Sequence, residues 1–310
     1  MPTGGASGSN RGVLTVESLL TAVLLPVALG VVMLGLGLTL TVADFTRVLA
    51  HPRAVLIALA CQVVVLPVIC LGLVTAFSLA PALAAGMMLL AASPGGTTAN
   101  LFSHLAGGDV ALNVSLTAIN SVLSVATLPI VVNLSLAHFA GPSAGIGLQL
   151  DKILQVFAIV LVPVALGMLI RRLAPAFAGR MRRPVKIASV LVLVLVIAAA
   201  VLENREIVLD GLVFVGPLTL LFAVISLTVG YMVPRFARVN RQQAIACSME
   251  IGIHNSVLAI TIALSPALLA DAEMAIPPAI YGLVMFLPAG VFAAVLARRA
   301  RSGVAASPAG

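Results

Sequence analysis

The sequence predicts an all-α polytopic membrane protein with nine transmembrane helices. Composition and the length of the apolar runs carry that prediction. Of its 310 residues, 61% are hydrophobic and only 9% are charged, and the mean hydropathy is +1.21. A soluble domain has roughly 45–50% apolar and about 25% charged residues, so this chain must use lipid as part of its solvent. In lipid every backbone polar group needs an internal partner, which leaves helices or a closed barrel. The apolar runs are about 20 residues long and lack the alternation of a strand, so they read as helices.

Taken in order, the spans cover roughly 17–41, 54–77, 83–106, 110–138, 152–171, 186–203, 211–233, 242–264 and 276–297, joined by short connections. Residues 1–15 are small and polar and read as a disordered tail; 16–300 read as the membrane-embedded body and 301–310 as a second, cytoplasmic tail. The first apolar run passes into Gly35-Leu36-Gly37 with no small-x-small cleavage site, so it reads as a span and not a signal peptide. With the loop after the first span cytoplasmic, fourteen of the seventeen Lys and Arg fall on that side, leaving Arg11, Lys152 and Arg205 outside. Cytoplasmic loops carry the excess of basic residues. The expectation is therefore a multi-pass protein of the inner (plasma) membrane, N-terminus outside and C-terminus cytoplasmic.

The net charge of +7 does not point to nucleic acid, because the basic residues sit in short loops and the chain has no Trp and only two Tyr. Cys61, Cys70 and Cys247 lie inside apolar runs without CxxC spacing, so no disulfide or zinc framework is indicated. No required protein partner is indicated either.

Two spans are interrupted. The third carries Ser93-Pro94-Gly95-Gly96 near its centre, followed at once by Thr97, Thr98 and Asn100. Proline removes a donor and clashes with the preceding turn, and glycine costs about 1 kcal/mol in a helix. The eighth carries Glu250, Gly252, His254, Asn255 and Ser256. Breaks and polar side chains at mid-membrane are costly unless they face a cavity or an ion. Broken helices present free N–H groups to anions and free carbonyls to cations. The two breaks lie third of four spans and fourth of five. If one span is missing from the first half, the halves match as inverted repeats, the pattern of secondary transporters.

Of the ten acidic residues, Glu250 alone reads as deep. Gln62, Asn100, Asn113 and Thr117 offer further oxygens, and the last two, four apart, share one helical face. An all-oxygen set with one carboxylate suits a hard monovalent cation such as Na⁺. It lacks the Cys/His cluster of a zinc site and the several carboxylates of a calcium site, so no metal other than sodium is expected. His254, four residues after Glu250, could instead pair with it and carry protons.

At these residues a resemblance appears. SPGGTTANLFSHLAGGDVALNVSLTAIN resembles the crossing-helix signature of the bile acid:sodium symporter family, and MEIGIHNSVLA resembles its second signature. The stretch GLGLTL…DF, followed by HPR…CQVVVLP, also fits, so the chain resembles a bacterial member over about 30–295. The resemblance implies two crossing discontinuous helices within a core domain (54–138 and 211–297) and a panel domain (17–41 and 152–203). The chain is similar to the nine-span form, which lacks the first span of ten-span members. By position, the resemblance implies one sodium site from Asn100, Asn113, Thr117 and Glu250. It implies a second from Gln62, Glu250, the carbonyls of Ile251 and Ile253, and His254. The substrate would lie at the crossing, near Thr97, Thr98 and Asn255, between breaks at Pro94, Gly95, Gly96 and Gly252. Two positions depart from the pattern. Ala99 stands where serine is common. His254 stands where glutamine is usual, offering nitrogen, a poorer sodium ligand than an amide oxygen.

The leading expectation is a sodium-coupled symporter of an organic anion, bile-acid-like or a smaller carboxylate, working by alternating access. Its rivals are a proton-coupled carrier or exporter of the same fold using Glu250 and His254, and a non-transporting receptor. An intramembrane enzyme is not expected: no HExxH occurs, no two acids lie deep, and Ser248 and His254, six residues apart, sit on different sides of a helix.

Overall fold

The computed structural model describes residues 25–139, 150–181, 183–185, 187, 188, 191, 205–265 and 268–305. Among these, all regular structure is helical, apart from one isolated β-bridge. Four helical stretches are long and apolar enough to cross a membrane: Pro52–Ala76, Val110–Phe139, Val213–Phe236 and Glu273–Arg298. They fall on the second, fourth, seventh and ninth predicted spans. The start of the first predicted span and nearly all of the sixth lie outside the described residues.

The first span is bent, which the sequence reading did not foresee. Helix α1 (Leu25–Gly37) gives way to the short α2 (Val42–Thr46) and a 3₁₀ turn, Arg47–Ala50. The two arms meet at 76°. The corner is held by Asp44, whose carboxylate accepts from both the backbone amide and the hydroxyl of Thr41 at 2.7 Å. Asp44 is therefore buried as well as Glu250. It differs in kind, however: it caps a helix start and pairs with Arg47 at 3.5 Å.

Helix α1 packs against α8 (Leu150–Leu173) through backbone contact. A Cβ at Gly37 would lie 2.2 Å from the Val164 carbonyl oxygen, and one at Gly167 would lie 2.5 Å from that of Leu34. Close approach through small residues is the usual means of helix association in lipid, where no hydrophobic force acts between helices. Arg171 at the end of α8 donates to the Thr39 carbonyl and closes the joint.

The second span is α3 (Pro52–Ala60), a π-helical turn (Cys61–Val65) and α4 (Leu66–Ala76). Pro67 explains the turn. Its ring clashes with the carbonyl one turn back and offers no N–H, so the preceding turn widens, and the Leu66 amide reaches back to Cys61. The widened turn holds Gln62.

Helix α5 (Pro81–Ala92) is buried on every side from Ala84 to Ala92. Met87, Leu90 and Ala91 join an apolar cluster with residues of α3, α4 and the later helices. Ala85, Leu89 and Ala92 join another with α1, α8 and the second half of α7 (Val110–Phe139). Helix α9 (Arg205–Phe236) lines the first cluster, and α12 (Ile276–Val284) and α13 (Phe286–Ala305) complete it. The broken end of α5 thus sits between two packed layers, where an unpaired polar group has no water to turn to.

Candidate functional site

Both predicted breaks are present. Helix α5 stops at Ala92 and the short α6 (Ala99–Leu105) follows after Ser93–Thr98. Helix α10 (Arg241–Gly252) stops at Gly252, and α11 (Ser256–Leu264) begins three residues later. The breaks meet. The Gly96 amide donates to the Ile253 carbonyl at 2.6 Å, and the Asn255 amide donates to the Pro94 carbonyl at 2.8 Å. Gly95 and His254 thereby form an isolated antiparallel bridge. Two donors and two acceptors exposed by the breaks satisfy one another, so the crossing needs no water.

None of the four break residues uses a left-handed backbone; positive φ is confined among the described residues to Ser78, Gly107, Arg238 and Ala270. Their smallness serves close approach instead. A Cβ at Gly95 would lie 2.3 Å from the carboxyl carbon of Glu250, and one at Gly252 would lie 2.4 Å from Leu227 of α9.

Helix α7 runs alongside α10 in parallel register. Asn113 Nδ2 donates to the Ala246 carbonyl at 2.9 Å. One turn on, Thr117 Oγ1 donates to Glu250 Oε2 at 2.5 Å. The sequence offset is 133 in both pairs, so the two helices advance together. Asn120 adds a third contact, its amide nitrogen donating to Glu250 Oε1 at 3.0 Å. Gly95 of the first break packs against this carboxylate. Glu250 is fully buried and receives both of these donors from α7. No described Lys, Arg or His forms an ion pair with it.

The amides around it share a pattern. Asn113 spends its nitrogen on a carbonyl, as does Gln62, which donates to the carbonyls of Ser93 (2.9 Å) and Ala91 (3.3 Å). Because carbonyls only accept, these contacts fix which end of each amide is the oxygen. The oxygens left over, Oε1 of Gln62 and Oδ1 of Asn100, Asn113 and Asn120, are buried without a donor. An unmatched buried acceptor costs about 1–3 kcal/mol. Those of Asn113 and Asn120 lie on the face of α7 that meets Glu250. No group of three or more His, Cys, Asp or Glu fit for a metal occurs among the described residues.

The other predicted residues make contacts of their own. His254 Nδ1 lies 3.2 Å from the Ser93 carbonyl, which makes Nδ1 the protonated nitrogen, and its Nε2 is buried without a partner. The ring stacks on Phe222, with centroids 5.5 Å apart, and meets Tyr281 edge-on. Tyr281 in turn donates to the Gly252 carbonyl at 2.8 Å. The Ile253 carbonyl already accepts from Gly96. Asn255 caps α11, its side-chain oxygen accepting from the Leu258 amide at 3.1 Å. Thr97 is exposed and Thr98 half-buried at the start of α6. Asn120 was missed. Its signal was the spacing 113, 117, 120, which keeps it on the face already identified.

A family model described as the sodium bile acid symporter family matches residues 15–211, more than half of the chain. An uncharacterized sodium-dependent transporter of Bacillus subtilis (strain 168) is 35% identical over 106 residues, 34% of this chain and 33% of that protein. The human sodium/bile acid cotransporter 4 is 35% identical over 103 residues, 33% of this chain and 24% of that protein. The human sodium-dependent organic anion transporter is 28% identical over 108 residues, 35% of this chain and 29% of that protein. The aligned stretch spans about a third or less of each relative's length.

Proposed function

The chain belongs to the sodium bile acid symporter family, and from that premise we propose that it couples sodium entry to the movement of an organic anion by alternating access. The family and the relatives are transporters, not enzymes. The two groups considered for an intramembrane hydrolase are spent on structure, with Ser248 donating to the Leu227 carbonyl and His254 bonding that of Ser93.

The observation that carries the proposal is the buried Glu250 carboxylate, which is held by Thr117 and Asn120 and has no basic partner among the described residues. Transferring such a group from water costs several kcal/mol unless a counter-charge arrives. Sodium supplies that charge. One ion takes oxygens from Glu250, Thr117, Asn113 and Asn100. A second takes Gln62 and Glu250 with the carbonyls of Ile251 and Ile253, and His254 beside it acts as a neutral ring.

Neutralising Glu250 from both sides ties α7, α10 and the two breaks into one rigid unit. That unit, 54–138 with 211–297, then moves against 17–41 with 152–203. The anion binds at the crossing, next to the exposed Thr97, the half-buried Thr98 and the start of α11, where the positive end of the helix dipole favours negative charge. Its carboxylate is the recognised group, so bile-acid-like and smaller organic anions are both admitted. The protein lies in the inner (plasma) membrane, N-terminus outside and C-terminus cytoplasmic.

Uptake into proteoliposomes decides the matter. A panel of carboxylates is offered under a sodium gradient with no pH gradient, and then with a protonophore. Sodium-driven accumulation that survives the protonophore is expected. Accumulation that ignores sodium and collapses with the protonophore overturns the coupling. Ligand binding by the pure protein without any uptake would make it a receptor.

A further inference from the structure

Helix α7 keeps presenting oxygens after it has passed Glu250. The spacing 113, 117, 120 continues with Ser124 and Thr127, so all five lie on one helical face. The first three meet α10 around the carboxylate. The last two do not. Together with Gln62, Pro94 and Asn120 they line a narrow cleft between α7, the π-helical turn and the first break. Asn120 belongs to both halves of the stripe: its nitrogen holds Glu250, and its side chain forms part of the cleft wall.

Two further observations give the cleft a chemistry. Gln62 and Asn120 are 3% and 2% exposed, and each has a side-chain oxygen with no donor. Ser124 spends its proton on the Ser121 carbonyl at 3.0 Å, leaving its lone pairs free. Burial deepens along the stripe, from half-buried Thr127 to buried Ser124 and Asn120 and then to Glu250. At 1.5 Å per residue, Thr127 and Asn120 are about 10 Å apart along the helix. Acceptor oxygens in file, ending on a carboxylate, stand in for the water shell that a small cation sheds on the way in.

We propose that this cleft, lined by Thr127, Ser124, Gln62 and Asn120, is the route by which the coupling cation reaches Glu250. The inference rests on the sodium-coupled function proposed above.

The test uses the full chain in proteoliposomes. Its native cysteines, Cys61, Cys70 and Cys247, are all buried, so the unsubstituted protein treated in parallel sets the background. Thr127→Cys is treated with a cationic, membrane-impermeant methanethiosulfonate. Labelling is expected to proceed, to slow in saturating sodium, and to lower sodium-dependent uptake at least tenfold relative to the same variant unlabelled. Ile130→Cys, on the exposed face of the same helix, is the comparison, and its labelling should leave uptake within twofold. If Thr127→Cys does not fold, Ser124→Val serves instead: the sodium concentration for half-maximal uptake should rise at least tenfold. Full uptake after labelling, reaction only with a neutral membrane-soluble reagent, or an unshifted Ser124→Val overturns the route. If the unsubstituted protein shows no sodium-dependent uptake, the function itself fails and the route with it; sodium-driven uptake with an indifferent cleft rejects the route alone.

Discussion

Thr117 Oγ1 approaches Glu250 Oε2 to 2.5 Å, within the range of a hydroxyl bonded to an ionised carboxylate. One hydroxyl proton cannot serve two acceptors, so the 3.0 Å contact from the same oxygen to the Asn113 carbonyl is the weaker one. Two helices far apart in the chain are thereby joined at the residue proposed to receive the cation.

Glu250→Gln removes the charge but keeps the size and the acceptor for Thr117. The variant should fold, because the crossing is held by backbone bonds and not by the carboxylate. It should lose its response to sodium. With sodium at a hundred times its Kd, the native protein gains about 2.7 kcal/mol. In thermal unfolding, the midpoint of Glu250→Gln should not move with sodium replacing potassium. A retained shift would remove Glu250 from the site.

Asn120→Ala deletes a donor to a buried carboxylate, an interaction worth about 1.5–3 kcal/mol. The loss should be larger without sodium than with it, since a bound cation supplies part of the missing compensation. Melting curves in the two salts measure the difference. Equal destabilisation in both would mean that Asn120 acts only as a packing group.

His254→Gln should keep sodium-dependent uptake within a few-fold. The imidazole donates to the Ser93 carbonyl, and a glutamine amide can do the same, while Gln62 already donates to that carbonyl. His254→Leu, without any donor, should be less stable than His254→Gln. Uptake abolished by glutamine but kept by leucine would give the ring a task other than this hydrogen bond.

What the sequence reveals of this site, and what it hides, follows from the reach of local rules. The breaks are legible because Pro94 and the glycines act on the backbone directly. Glu250 is legible because a carboxylate amid apolar residues has few explanations. His254 is not, because the i,i+4 relation to Glu250 holds only in an unbroken helix. The helix ends at Gly252, and Ile253, at φ −121 and ψ 85, turns the next residue toward Ser93. Asn120 is hidden by abundance: Asn113, Ser115, Thr117, Asn120, Ser121 and Ser124 are all polar and buried. Sequence alone does not say which of them faces α10. The π-helical turn at Cys61–Val65 is hidden for another reason, since Pro67 announces a disturbance without its form. The bend at Thr41–Asp44 depends on a buried cap that the loop-like stretch does not advertise.

The two adjacent glycines of the first break should differ sharply, although sequence treats them alike. At Gly95 a methyl group would sit 2.3 Å from the Glu250 carboxyl carbon, nearer than any real Cβ contact. At Gly96 the nearest atom is the His254 carbonyl oxygen at 3.2 Å, a contact that a few tenths of an ångström of movement relieves. Gly95→Ala must therefore expel the carboxylate from Thr117 and Asn120 or pull apart the bridge to His254. Either loss would remove the proposed cation site, and uptake should fall at least a hundredfold. Gly96→Ala should cost about 1 kcal/mol or less of stability, within the ordinary range for single substitutions, and leave uptake within tenfold. Sodium-dependent melting of the same two variants separates a lost site from a lost fold. Gly95→Ala should melt as a folded protein with no response to sodium, while Gly96→Ala keeps the response. Equal effects from both would mean that the approach of Gly95 to Glu250 is not what the site depends on.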